Sequence, residues 1–419
     1  TRIGLTYPVG FIYKILGVND FSSALFNLIT SIGSIILMFY FGKLFFNEKV
    51  GLLSAFLFAI FPLEIVYATK LTSDFPAAFF MGLGLYFFLY QEIKAEKKQW
   101  PYYFLSGIMI GVGYLIRESM LVIALFFIAY MIYKRKIAKE YFLVPIGVLL
   151  ILVLEMAFFF SLTGDPLYRT HASQEILKES MEQHDYYGRL DFPQGLFHYP
   201  WLFLTDHTLT FFYMFVLLSI AYCLWKRKKE TYILLLWFIP MLLYISFGSG
   251  SLTSYVPIRA VDRYTSIFNM PALLLLAFFL LDLKERMRKW IVPSVLGFLL
   301  ISSITVVVFR EDRNQLDLLR EAHPYLESVN KATYIDRRSS IALSYLSEYE
   351  GNPLLQRYPD SLEGIHDAYV AVNHEMISKL RAAGDEIIFP KEIDAIPKNW
   401  KLEKSIGNAP KYIEIYYVP

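Results

Sequence analysis

Cysteine is nearly absent: the 419 residues hold one, Cys223. A lone thiol excludes an internal disulfide and any zinc site built on cysteines. Charge is scarce as well. Only 19% of residues are charged and 56% are hydrophobic, whereas a soluble domain is nearer a quarter charged and half apolar. The net charge of +2 offers no basic surface for nucleic acid, which excludes that class of partner. No internal repeat, low-complexity tract or signal peptide is visible. The chain opens on Thr1 in place of Met, which reads as a sequence lacking its true start.

What is abundant is apolar sequence, in runs long enough to cross a bilayer. Ten spans are expected, at about 22–46, 50–67, 74–91, 101–117, 119–133, 141–162, 206–225, 232–248, 265–283 and 289–309. Basic clusters fall in every second loop: Lys43 with Lys49, "KAEKK" at 94–98, "KRKIAK" at 134–139, "KRKK" at 226–229 and "KERMRK" at 284–289. The positive-inside rule makes those loops cytoplasmic. The remaining loops then face out: 1–21, 68–74, the corner at 117–119, the long loop 163–205 and the loop 249–264. Within the long loop, "HASQEILKESMEQH" reads as a helix lying along the interface.

From residue 310 the charges become frequent and the spans stop. "ATYID", "AYVAVN" and "YIEIYYV" read as strands. "RSSIALSYLSEY" reads as a helix, as does "HEMISKLRAAG", ended by Gly384. Alternation of this kind predicts a small α/β domain. The expected fold is therefore mainly α: a polytopic helical membrane bundle over 22–309, an outer-loop remnant at 1–21, and a small extracytoplasmic α/β domain over 310–419. The expected location is the cell membrane, in multiple passes.

Charges inside spans are costly and mark function or pairing. Glu64, Arg117 and Glu155 each sit about 14–16 residues from a cytoplasmic span end, roughly 20–24 Å along a helix, which is close to the outer surface. Lys70, Asp74 and Glu118 lie at the same level, and Arg259, Asp262 and Arg263 come from the outer loop before the ninth span. A layer of both charge signs beneath the outer headgroups suits an anionic, lipid-linked substrate. Plainer readings stand beside this one. Lys70 and Arg117 can snorkel, Glu64 and Glu155 can pair for packing, and Asp74 before Pro76 can be a helix cap. His171, His184, His198 and His207 match no metal-ligand spacing and read as wet-loop histidines.

Several stretches together resemble a known family. "RIGLTYPVGFIYKILGVNDFSSALFNLITSIGSIILMFYFGKLFF" and "GLLSAFLFAIFPLEIVYATKLTSDFPAAFF" are similar to consecutive segments of GT-C superfamily membrane glycosyltransferases. "GVGYLIRES", "TGDPLYR" and "YVPIRAVDRY" follow in the same order. The nearest type is the dolichyl-phosphate-mannose protein mannosyltransferases and aminoarabinose transferases, over about 1–285. The resemblance implies a sugar donor on a polyprenyl phosphate and an acceptor at the outer face (protein, lipid or glycan). It also implies inversion at the anomeric centre. The family's base is an acidic residue of the first outer loop, which would precede Thr1. That role is not carried onto Asp20.

Such a transfer needs a base for the acceptor hydroxyl, cations or a metal for the departing phosphate, and a groove for the lipid. Arg263, then Arg259, Arg117 and Lys70, are the expected phosphate ligands, since guanidinium suits bidentate phosphate contacts. Tyr264 and Tyr255 are expected at the sugar or headgroup. Asp74, and more weakly Glu118, are the expected catalytic carboxylates. Asp74 would orient the cations, hold a divalent ion or touch the sugar. A secondary transporter and a non-enzymatic receptor or assembly protein are the rival classes. Transporters tend to show repeats and midplane sites, and polar groups here collect near one face.

Overall fold

The computed structural model describes residues 2–182, 194–249, 255, 258, 261–285, 290–309, 316–350, 352–359, 361–382 and 389–419. The chain divides into two compact units, Thr1–Lys178 with Gly188–Arg310, and Glu179–Tyr187 with Glu311–Pro419.

The first unit is helical. It opens with α1 (Ile3–Leu16), α2 (Asp20–Phe45), α3 (Glu48–Ala59), α4 (Pro62–Ala68), α5 (Asp74–Ile93) and α6 (Trp100–Ile116). Next come α7 (Ala124–Lys134), α8 (Leu143–Thr163), α9 (Tyr168–Glu182) and α10 (Gln194–Thr205). It closes with α11 (Thr210–Lys226), α12 (Lys229–Phe247), α13 (Ser266–Lys284) and α14 (Ile291–Phe309). Local chemistry sets the starts. Asn19 caps α2 reciprocally with Ser22, and the Asn47 side chain accepts from Val50 N at the start of α3.

Helix lies within each expected span, but among the described residues five helices are long and apolar enough to cross a membrane: α2, the stretch Lys139–Thr163, α12, the stretch Asp262–Lys284, and α14. The segment expected as one span at 50–67 is broken. Here α3 and α4 meet at a bend of 60°, with Pro62 starting the second helix. Counted as one span, the pair makes six. Residues 1–21, read as a loop, contain α1. Its Tyr7, Phe11 and Ile15 recur every fourth residue and are exposed.

Helix α13 is the central helix. In its apolar window 83% of residues are buried, against 22% for α14. Close helix pairs depend on missing side chains. A Cβ on Gly107 of α6 would overlap the Val144 carbonyl of α8 and crowd Gly147, and one on Gly42 of α2 would overlap Gly51 of α3.

The second unit carries a five-stranded sheet. Its strands are β1 (Thr333–Ile335), β2 (Leu355–Arg357), β3 (Ala368–Asn373), β4 (Lys401–Asn408) and β5 (Lys411–Val418), in spatial order β2-β1-β3-β5-β4. β1 runs parallel to β2 and β3, and β5 is antiparallel to β3 and β4. Helices α15 (Leu316–Ser328), α16 (Arg337–Leu346), α17 (His374–Ala382) and α18 (Lys391–Asp394) complete it. Along β3, Ala371 packs in one apolar cluster with Ile335, Leu343 and Ile413, while Val370 and Val372 pack in another with Ile377 and Trp400. Both faces are covered, which is why "AYVAVN" is almost wholly apolar. The three strands read from sequence are present, and β2 and β4 escaped that reading. Gly384, the expected stop of α17, lies outside the described residues.

Candidate active site

Asp74 begins α5 in a position set by the helix break before it. Ser73 holds the cap position without a side-chain capping bond, so Asp74 is a first-turn residue and not the cap. Its carboxylate is buried and turned to two arginines. Arg117 Nη1 is bonded to Asp74 Oδ1, and Arg263 Nε lies 3.6 Å from Oδ2.

Arg117 reaches that position because α6 stops there. Its backbone is extended (φ −152°, ψ 122°), while its N–H still donates to Gly113 O at 2.8 Å. Its Nε donates to Ser119 Oγ at 2.9 Å, and its guanidinium lies over the Tyr264 ring, 4.3 Å from the centroid. Arg263 flanks the same ring at 5.9 Å. Beneath them the Tyr67 hydroxyl donates to both Asp262 oxygens, at 3.0 and 3.2 Å, and Arg263 N donates to Asp262 Oδ1 at 2.7 Å. Tyr67 also stacks on Phe75, the neighbour of Asp74.

A third arginine joins from the start of the chain. Arg2 Nη1 donates to Ser73 Oγ at 2.9 Å. Arg2, Arg117 and Arg263 are close enough to act on one another electrostatically. Burial pulls the Arg2 pKa below its ordinary value, helped by Arg263 and Arg169 and opposed by Glu118 and Tyr264. Three guanidinium groups thus gather at the start of α5, two of them on the Asp74 carboxylate and one on Ser73, and the excess positive charge suits an anion.

A second cluster adjoins the first. Arg169, in the first turn of α9, is buried and binds two carboxylates: Glu118 through Nε at 2.8 Å and Glu155 through Nη1 at 2.6 Å. It also donates to Tyr114 O at 2.9 Å and covers the Tyr114 ring at 4.6 Å. Ser173, one turn on, donates to Glu118 Oε1 at 3.1 Å. Deeper in the bundle, Asn269 of α13 links the Tyr213 hydroxyl (2.7 Å) to Glu64 Oε1 (3.2 Å).

Of the residues expected from sequence, Asp74, Arg117, Arg263 and Tyr264 come together. Glu118 follows Arg117 in the chain but turns to Arg169. Lys70 lies in the turn between α4 and α5, its N–H on Tyr67 O at 3.3 Å. Tyr255 is exposed. Arg259 and His184 lie outside the described residues. His171 pairs with Asp165 at 2.7 Å, and that bond holds the Asp165 pKa below the usual carboxylate range. Among the described residues no group of three or more His, Cys, Asp or Glu gathers as a metal-ligand set.

Sequence reasoning missed Arg2 and Arg169. Both stand in stretches that resemble the family, "RIGLTYP" and "TGDPLYR", but nothing in their spacing shows what they reach.

Comparisons with known proteins agree with this architecture. Residues 3–159 match the family model described as dolichyl-phosphate-mannose-protein mannosyltransferase. No curated protein sequence matches the chain. Among solved structures, ArnT from Cupriavidus metallidurans in the apo state has TM-score 0.63 at 11% identity, covering 99% of this chain and 86% of that one. The same protein bound to undecaprenyl phosphate also has TM-score 0.63, at 11% identity, covering 98% and 86%. The Archaeoglobus fulgidus oligosaccharyltransferase, tethered to an acceptor peptide, has TM-score 0.55 at 13% identity, covering 99% and 66%. At these identities the likeness is one of fold. The family model thus covers the first part of the chain, residues 3–159, and over its whole length the chain shares the fold of these solved membrane proteins.

Proposed function

We propose that the chain transfers a sugar from a polyprenyl-phosphate donor to an acceptor hydroxyl or amide at the extracytoplasmic face, with inversion. The observation that carries this reading is the buried Asp74 carboxylate shared by Arg117 and Arg263, with Arg2 beside them. Asp74 orients the guanidinium groups, and their remaining N–H donors meet the phosphate as charge develops on it. Tyr264 holds the two arginines at its ring and borders the donor sugar. The donor set around Asp74 is guanidinium, so the phosphate charge is assigned to arginine and not to a divalent ion.

The lipid chain has a place nearby. An apolar cleft of about 210 Å³ is lined by Ile3, Gly4, Tyr7, Leu115 and Phe158. Ile3 follows Arg2 in the chain and Leu115 stands two residues before Arg117, which supports placing the lipid there with its phosphate towards the arginines. Solved relatives in fold carry matching ligands: ArnT binds undecaprenyl phosphate, and the archaeal oligosaccharyltransferase has been captured with a dolichol-phosphate.

The acceptor proton requires a carboxylate with an oxygen to spare. Asp74 does not fit, since both its oxygens face arginines. Glu118 fits better among the described residues. Its side chain is 48% exposed, and both its described bonds go to Oε1. The deciding experiment supplies the full chain in bilayers with a radiolabelled polyprenyl-phosphate sugar and membrane extract. Incorporation into protein, lipid or glycan supports the reading and names the acceptor class. No incorporation with any polyprenyl donor, alongside protein that stays folded, overturns it.

A further inference from the structure

We propose that Arg169 is a positioning residue for the phosphate site, and that docking of the outer-loop helix α9 through it is a condition of donor binding. The proposal rests on the reading of Arg117 as a phosphate ligand. Arg169 does two things at once. It ties α9 to the end of α6, and it completes that end chemically.

The last turn of a helix leaves carbonyls without partners in the helix and carries partial negative charge. At the end of α6 these include Tyr114 O and Leu115 O. Arg169 donates to the first at 2.9 Å and to the second at 3.5 Å. The next residues are Ile116 and then Arg117, whose extended backbone turns its side chain to Asp74. Arg169 therefore braces the turn from which Arg117 projects. Its two carboxylate partners hold it in place: Glu155 from α8, itself buried, and Glu118, which directly follows Arg117. Ser173, on the same face of α9, adds a second bond to Glu118.

The arrangement is more specific than packing requires. A helix needs only some cation near its end, whereas here one planar guanidinium serves two carboxylates, two carbonyls and an aromatic ring. When α9 leaves its seat, Glu155 loses its charge partner inside the bundle and the α6 end loses its brace. Arg117 then loses its fixed direction. Loop docking and phosphate binding are linked, and by reciprocity each favours the other.

The test measures binding of undecaprenyl phosphate to the full chain in detergent by native mass spectrometry or calorimetry, with thermal unfolding in parallel. Arg169→Met is combined with Glu155→Gln so that no lone buried carboxylate remains. The pair is expected to weaken binding at least tenfold with the unfolding temperature near wild type, and Arg169→Lys to recover only part. The decisive comparison adds the pair to Arg117→Ala. If Arg169 acts through Arg117, the triple variant binds no more weakly than Arg117→Ala alone. A full additional tenfold loss, or a lowered unfolding temperature with unchanged affinity, overturns the proposal. Wild-type affinity in Arg117→Ala instead sinks the phosphate reading itself.

Discussion

Asp74 and Arg117 are joined across the pair of helices α5 and α6, with side chains only 3% and 14% exposed. An ion pair so placed is weak evidence for stability, because desolvation offsets much of the attraction. Its value lies in direction. Asp74 fixes one edge of the Arg117 guanidinium and leaves the other for Ser119 and for a ligand.

Asp74→Asn should lower sugar transfer at least tenfold, equivalent to about 1.4 kcal/mol of barrier. Asparagine keeps an oxygen for Arg117 but removes the charge that draws Arg263. The check is initial rate in a reconstituted assay at saturating acceptor. A wild-type rate would leave Asp74 with no more than a helix-start role.

Arg263→Ala should abolish detectable transfer while the protein stays folded. The side chain is 40% exposed, so its loss disturbs packing little. Removal of one charge-stabilising donor costs about 10²–10³ in rate. Arg263→Lys should restore only a fraction, since an ammonium lacks the planar fork. Equal rates for Lys and Arg would mean that charge alone matters there.

Gly107→Ala should destabilise the bundle by about 1–3 kcal/mol, the usual cost of overpacking. The added methyl would meet the Val144 carbonyl and the Gly147 backbone, neither of which can move aside cheaply. Gly297 of α14 has nothing within 4 Å of such a methyl, so Gly297→Ala is the matched control. Thermal unfolding in detergent compares the two. Equal temperatures would refute the close α6–α8 contact.

Asp336→Ala should weaken α16 by about 1 kcal/mol. Asp336 Oδ1 accepts from Arg338 N at 3.0 Å and from Ser339 N at 2.9 Å, which caps the helix. Faster hydrogen exchange at those two amides would report the loss, and Asp336→Ser should recover most of the protection.

Much of this was legible in the order of residues. Apolar runs long enough to span a bilayer, and basic clusters between them, follow from what water and lipid accept, which is a property of each segment alone. Strands of the α/β unit buried on both faces show themselves in the same way, as β3 does. An edge strand does not. β4 is nearly all exposed and carries Lys401 and Lys404, because a charged edge resists pairing with another sheet, and that composition reads as loop. β2 is as short as β1 but carries Gln356 and Arg357, both exposed, so it lacks the apolar signal that β1 shows. Helix α1 hides because its apolar face meets no polar face to set a period.

The sequence by itself marked Asp74, Arg117, Arg263 and Tyr264 as costly or unusual groups at one level of the membrane, since a charge beside an apolar run needs a reason wherever its partner lies. Only the tertiary structure decided the partners. Arg117 takes Asp74, while Arg169 takes Glu118 and Glu155. Exchanging those partners would leave every segment's composition and period unchanged. An ion pair's energy depends on distance and burial in space, and those quantities arise only when α5, α6, α8 and α9 pack.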